Sequence, residues 1–187
     1  MRKIGVFGGT LDPIHIGHTH LIVEAKRHFD LDEVIIVPAF QSPHKADRPI
    51  HESDRLKMIE RATKDLDFIS IDMFELEHKG KSYTYDTMCY LKEKFPNDTL
   101  YFIMGEDQFH AFDRWYKHEE LLEIAQFIVL KRTMEETNIT APFLTATVPI
   151  IEVSSSEIRK RIGNDDYYSH LVHKNVFDYI KEHELYE

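Results

Sequence analysis

One cysteine, Cys89, and one tryptophan, Trp115, occur in 187 residues. A lone cysteine allows no internal disulfide and cannot build a multi-thiolate zinc site, which suits a reducing compartment. No apolar run approaches the ~18 residues of a membrane span. Positive charge is in deficit: 23 Lys and Arg against 33 Asp and Glu leave a net charge of −10. A protein that tracks a nucleic-acid backbone wants the opposite sign, so nucleic acid is not an expected partner. A small polyanion needs only a local positive pocket, which this balance leaves open. The opening Met1-Arg2-Lys3 runs directly into a candidate strand and leaves no room for a secretion signal. The expectation is a cytoplasmic protein without a membrane partner. Internal repeats and low-complexity segments are lacking as well.

What remains is an ordinary globular composition, 42% apolar and 30% charged. The length suits one domain over residues 1–187, with a small helical part from about residue 154. Lys3–Phe7 is short, apolar and closed by Gly8-Gly9, as a buried strand is. Ile16–Phe29 has helical apolar spacing. Further strands are expected at Val34–Val37, Phe68–Met73, Leu100–Met104, Phe127–Leu130 and Thr145–Pro149. Helices are expected at Glu52–Lys64, with Leu56, Ile59 and Thr63 on one face, and at Tyr83–Phe95, Glu119–Ala125, Ser155–Ile162 and Val176–His183. Residues 133–142 read as a polar surface loop. Strands alternate with helices, and the early strands lack polar alternation. The pattern predicts an α/β fold of the Rossmann-like, doubly wound kind, a mainly parallel sheet with helices on both faces. Ligands of such sheets sit beyond the carboxyl ends of the strands.

The stretch Gly8–His18, GGTLDPIHIGH, lies at such an end. Glycines permit a sharp turn and close approach of backbone to a ligand. The helix that follows presents unpaired amides and a positive dipole end, a place for phosphate. His15 and His18 are one turn apart and can share a face, and Gly17 between them withholds a side chain that would crowd a ligand. Read as residues alone, the pair could also be core histidines or a metal site. Zinc needs three or four ligands, and no second cluster shows its spacing. The last four letters are also a signature of class I aminoacyl-tRNA synthetases, but the chain is too short for one and has no lysine-rich second loop.

Far downstream stands Val153-Ser154-Ser155-Ser156-Glu157-Ile158-Arg159. Ser154 can cap a helix, with Glu157 completing a capping box. The same helix start is a second anion site, over which Arg159 can lean. Lys45 sits in a polar loop after the second strand, and Arg132 at a strand end. Asp107, two residues beyond Gly105, is either a helix cap or a partner of a nucleotide. Trp115 is either a core anchor or a stacking platform, and Tyr83 either packs a helix start or meets a ligand.

Gly8–His18 resembles the nucleotidyltransferase family with the (H/T)xGH motif, with Leu11 in place of the usual phenylalanine. Val153–Arg159 resembles that family's second, serine-rich motif, with Val153 and Ser156 as conservative departures. Pro43-His44-Lys45, Ser82–Thr87 (SYTYDT), Gly105-Glu106-Asp107 and Trp115-Tyr116 resemble the bacterial nicotinate-nucleotide adenylyltransferase group within it. That likeness spans nearly the whole chain, to Glu184-Leu185-Tyr186. The resemblance implies adenylyl transfer from ATP to nicotinate mononucleotide in NAD biosynthesis, with Mg2+ held mainly by the phosphates. It implies His15, His18 and Arg159 as catalytic groups. ATP would lie on Gly8, Gly9, Thr10, Gly17, Gly105, Asp107, Ser154, Ser155 and Arg159. The mononucleotide would lie on Lys45, Tyr83, Thr84, Trp115, Tyr116 and Arg132. Rival acceptors are nicotinamide mononucleotide and phosphopantetheine, although the phosphopantetheine enzymes are shorter and lack the SYTYDT and Trp-Tyr features. A nucleotide-sensing binding module is the reading outside enzymes. Phe and Tyr near the C-terminus fit either core packing or a homodimer interface.

Overall fold

The computed structural model describes residues 1–42, 49–131, 138–149 and 151–187. Six strands form one sheet: β1 (Lys3–Gly9), β2 (Glu33–Pro38), β3 (Ile69–Ile71), β4 (Thr99–Gly105), β5 (Gln126–Lys131) and β6 (Phe143–Thr147). Their order is β3-β2-β1-β4-β5-β6, and every pairing is parallel. The order reverses between β1 and β4, which opens a crevice at their carboxyl ends.

The helices are α1 (Ile16–Phe29), α2 (Glu52–Thr63), α3 (Phe74–Glu77), α4 (Thr84–Lys94), α5 (Glu106–His110), α6 (His118–Ile124), α7 (Ser155–Gly163) and α8 (Lys174–Glu182). Among the described residues no helix is long and apolar enough to cross a membrane. Side chains alternate between the faces of each strand. Val34 and Ile36 of β2, with Ile103 of β4 and Ile128 of β5, join the core that α1, α2, α7 and α8 cover. Val6, Ile35, Phe102, Met104 and Phe127 face the core under α4 and α6. Each fully buried side chain of this size contributes roughly 1.5–3 kcal/mol. Ile158, Ile162, Val176 and Ile180 belong to the same core as Phe7 and Ile36, so the C-terminal helices are continuous with the sheet layer.

Most elements fall where their pattern puts them, and the departures have local causes. The third strand is only Ile69–Ile71. Asp72 ends it by accepting the Phe74 amide at 2.9 Å and starting α3, a helix that the sequence reading lacks, as it lacks α5. The last strand begins at Phe143 rather than Thr145, because the Phe143 ring packs edge-on against Phe112 (5.3 Å) and Phe109 (5.0 Å). Along α2 the buried positions are Arg55, Met58, Ile59, Ala62 and Thr63. The inward face is therefore turned away from Leu56, and an arginine occupies it. Only residues 138–142 of the expected loop at 133–142 fall wholly within the described part.

Candidate active site

The glycine pair does not make the turn. Gly8 and Gly9 finish β1 in extended backbone, and the left-handed residue is Leu11, at φ 52°. Leu11 is buried, and this conformation is disfavoured for an L-residue with a branched side chain. The bend depends on its surroundings. A Cβ at Gly8 or Gly9 would find its nearest neighbour at 3.6 Å, an ordinary contact. Packing therefore tolerates a small side chain at either position, and both glycines line an open cavity.

His15 is the N-cap of α1, in extended backbone, and His18 is three residues into the cap. The His15 amide donates to His18 Nδ1 at 3.2 Å, and the two rings stack at 3.6 Å between centroids. With Nδ1 accepting, a neutral His18 carries its proton on Nε2, where it is a donor. Gly17 is required by packing. A Cβ there would stand 2.8 Å from Val153 Cγ1 and 3.1 Å from the His15 ring. The space read as room for a ligand is filled by Val153, which brings the two sequence motifs into contact.

The serine-rich motif completes that meeting. Ser154 caps α7 by accepting the Glu157 amide at 3.2 Å. The Ser155 hydroxyl donates to the Pro13 carbonyl at 2.9 Å. Arg159 donates Nη1 to the Asp12 carbonyl at 2.7 Å and Nη2 to Ser156 Oγ at 3.3 Å. Ser155 and Arg159 thus grip the loop that leads into His15, across about 140 residues of sequence.

On the other side of the loop lies a cavity of about 420 Å³. Gly8, Gly9, Thr10, Tyr83, Thr84, Trp115 and Tyr116 line it, as the sequence reading expects of a shared cleft; His15, His18, Ser155 and Arg159 do not. Thr10 joins the two regions. Trp115 serves both readings of it: the ring is set edge-on to Phe102 at 5.6 Å and lies 5.5 Å from Phe112, and it also faces the cavity. Tyr116 is half-exposed and lies 5.0 Å from Tyr83, and Lys117 Nζ sits 4.3 Å over the Tyr85 ring. Gly105, not Asp107, caps α5, and its amide donates to Gln108 Oε1 at 3.3 Å. Asp107 is exposed in the first turn. Lys45 and Arg132 lie outside the described residues. Among the described residues no group of three His, Cys, Asp or Glu gathers to hold a metal ion.

Four residues at the site escape sequence reasoning. Arg55, fully buried, donates Nη1 to the carbonyls of Thr10 and Ala39, each at 2.7 Å. The Tyr186 hydroxyl donates to Asp12 Oδ1 at 2.6 Å. Glu75 lines the cavity and accepts from the Thr87 hydroxyl. Desolvation pushes its carboxyl above the usual range, against the pull of the Thr87 and Ser82 hydroxyls. For Asp12 the motif itself was a signal. For Tyr186 the likeness reaching Glu184-Leu185-Tyr186 was a signal without a role, and for Arg55 and Glu75 the sequence holds none, since each looks like a surface residue.

A family model for the cytidylyltransferase-like proteins matches residues 6–161. The nicotinate-nucleotide adenylyltransferase of Bacillus subtilis (strain 168) is 39% identical over 188 aligned positions, covering all of both chains. The chain belongs to the nicotinate-nucleotide adenylyltransferase family. The same fold is found in solved structures of low sequence identity. The nicotinic acid mononucleotide adenylyltransferase of Plasmodium falciparum, solved in complexes with APC and with NaAD, superposes with a TM-score of 0.83 in each case. Identity to those two chains is 22% and 24%, with 100% of this chain and 98% of each of those covered.

Proposed function

We propose that the chain transfers the adenylyl group of ATP to nicotinate mononucleotide, forming nicotinate adenine dinucleotide and pyrophosphate in NAD biosynthesis. The single observation that carries this reading is the seating of Ser155 and Arg159 on the Pro13 and Asp12 carbonyls. That contact brings two distant anion-binding helix starts to one loop, with an aromatic cavity beside it.

In this reading the mononucleotide's phosphate oxygen attacks the α-phosphorus in line. The new P–O bond forms as the bond to pyrophosphate breaks, and its electron pair leaves with the pyrophosphate. A phosphate monoester is largely dianionic at neutral pH, its second pKa being about 6, so no strong base and no protein nucleophile are required. The protein aligns two polyanions and meets the charge as it shifts. His18 offers Nε2–H, and His15 and the first amides of α1 stand beside it. Ser154, Ser155 and the α7 start face the outer phosphates, with the Arg159 charge at the seam. Gly105 and Asp107 flank the nucleoside. The pyridine ring stacks on Trp115. Its carboxylate meets the amides at the start of α4, where Thr84 stands between Tyr83 and the helix, and Tyr116 closes that side. Lys45 and Arg132 supply counter-charge to the phosphates. Mg2+ brought with ATP would be held by phosphate oxygens and water rather than by protein side chains, and would supply shielding of the leaving group's charge. The lone thiol, Cys89, fits a cytoplasmic setting.

The test is pyrophosphate release from ATP with nicotinate mononucleotide, nicotinamide mononucleotide and phosphopantetheine in parallel. Release should be fastest with the acid. Faster release with either rival acceptor overturns the choice of substrate, and release with none supports a nucleotide-binding module instead.

A further inference from the structure

Four side chains converge on the segment between β1 and α1. Arg55 holds the Thr10 carbonyl, Arg159 the Asp12 carbonyl and Ser155 the Pro13 carbonyl. Each grips main chain. The fourth, Tyr186, comes from 174 residues away and grips the Asp12 carboxylate. Asp12 is 7% exposed, so its carboxylate has exchanged most of its water for this hydroxyl. Burial, reinforced by the Asp12 charge, drives the phenol far above its ordinary range. The hydroxyl therefore remains a donor throughout the neutral range.

The position of this contact matters. Leu11, immediately before Asp12, is the residue in the left-handed conformation. A bend of that kind persists only where neighbours over-determine it. Arg55 fixes the chain on one side of the bend, and Arg159 and Tyr186 fix it on the other. Gly9 and Thr10 line the cavity just upstream, and His15 begins α1 just downstream. A shift at Asp12 would move both. The Tyr186 ring, in contrast, only packs against the outside of the core, so ring and hydroxyl have separable tasks.

We propose that Tyr186 is a positioning residue for nucleotide binding: through Asp12, its hydroxyl holds the Gly9–His15 segment in the shape that receives the ATP phosphates. The inference rests on the adenylyl-transfer reading. Tyr186→Phe keeps the ring and removes the hydroxyl. The Kd of ATP, titrated calorimetrically without acceptor, should rise about 10-fold, as loss of one hydrogen bond to a buried charge implies. Turnover should fall in step, while the KM for nicotinate mononucleotide stays within about 2-fold. Asp12→Asn keeps an acceptor oxygen but loses the charge, so its ATP affinity should fall between that of the wild type and that of Tyr186→Phe. Asp12→Ala should match Tyr186→Phe, and the double variant should be no weaker than either single change. Unchanged ATP affinity in Tyr186→Phe overturns the proposal. Equal weakening of both substrates also overturns it, since that is the mark of a packing residue. The ATP titration needs no acceptor, so its outcome is separate from a failure of wild-type protein to release pyrophosphate, which would count against the adenylyl-transfer reading.

Discussion

The loop leading into His15 and His18 is set by hydrogen bonds onto main-chain oxygens, whereas around Trp115 the contacts are rings against rings. Ser155, Arg159 and Arg55 each fix a carbonyl of the loop at 2.7–2.9 Å. Trp115 rests on Phe102 and Phe112, and Tyr83 on Tyr116, with centroids at 5.0–5.6 Å. Hydrogen bonds are directional and fail over a few tenths of an ångström. Ring contacts are broad and tolerate sliding. The polar end is suited to charge developing at a fixed phosphorus, the aromatic end to holding a flat ring that does not itself react. The difference predicts rate effects at one end and affinity effects at the other.

The largest break in this contrast should come from His18→Ala. Loss of one preorganised donor costs about 10²-fold or more in turnover, in a protein that still folds and whose melting temperature falls only by the lost capping contact to the His15 amide. Steady-state kinetics within a factor of a few of wild type would remove His18 from the phosphate end. Next, Gly17→Ala drives a methyl against Val153 Cγ1 at 2.8 Å. Overpacking of this kind costs roughly 1–3 kcal/mol. It should push α7 from α1, lowering both stability and turnover; a variant that loses neither would show that Val153 gives way freely. At the aromatic end, Trp115→Ala should weaken the mononucleotide by about 10-fold, the scale of one lost stacking contact with some buried area, and leave ATP nearly untouched. Equal weakening of both ligands would make Trp115 a core anchor alone.

The smallest effect separates the two ends by pH. The Glu75 carboxyl is held above its ordinary 4.5 by desolvation. A raised carboxyl contributes stability that is complete below its unfolded value and is lost as pH rises through its folded value. Glu75→Gln should flatten that limb in thermal melts taken as pH rises above the ordinary carboxylate range. A slope identical to wild type would mean that the group is solvated, and the cavity wall there is wetter than its contacts suggest.

The phosphate end was the more legible of the two. The span of α1, Ile16–Phe29, is as its pattern indicates, and Ser154 caps α7 by accepting the Glu157 amide, although the Glu157 carboxylate pairs with Arg161 instead of completing a capping box. Such features are local: apolar periodicity and capping chemistry act within a few residues. Misreadings arose where a residue's task depends on a distant partner. Gly17 was read as room for a ligand, but Val153 fills that room. The apolar spacing of α2 points Leu56 inward, whereas the buried residue is Arg55, a charge that on a helix is normally solvated. The bend was credited to Gly8 and Gly9, although Leu11 makes it.

From the sequence alone came the alternation of strand and helix, the parallel sheet and the two helix starts that open on glycine-rich and serine-rich motifs. Each follows from short-range periodicity and from backbone groups left unpaired at helix ends. The tertiary structure alone decided that those two starts face one loop, that Arg55 is buried beneath it, and that Tyr186 closes on Asp12. The reason is physical: a buried donor is acceptable only where folding delivers its acceptor, and no local pattern encodes a partner 45 or 174 residues away.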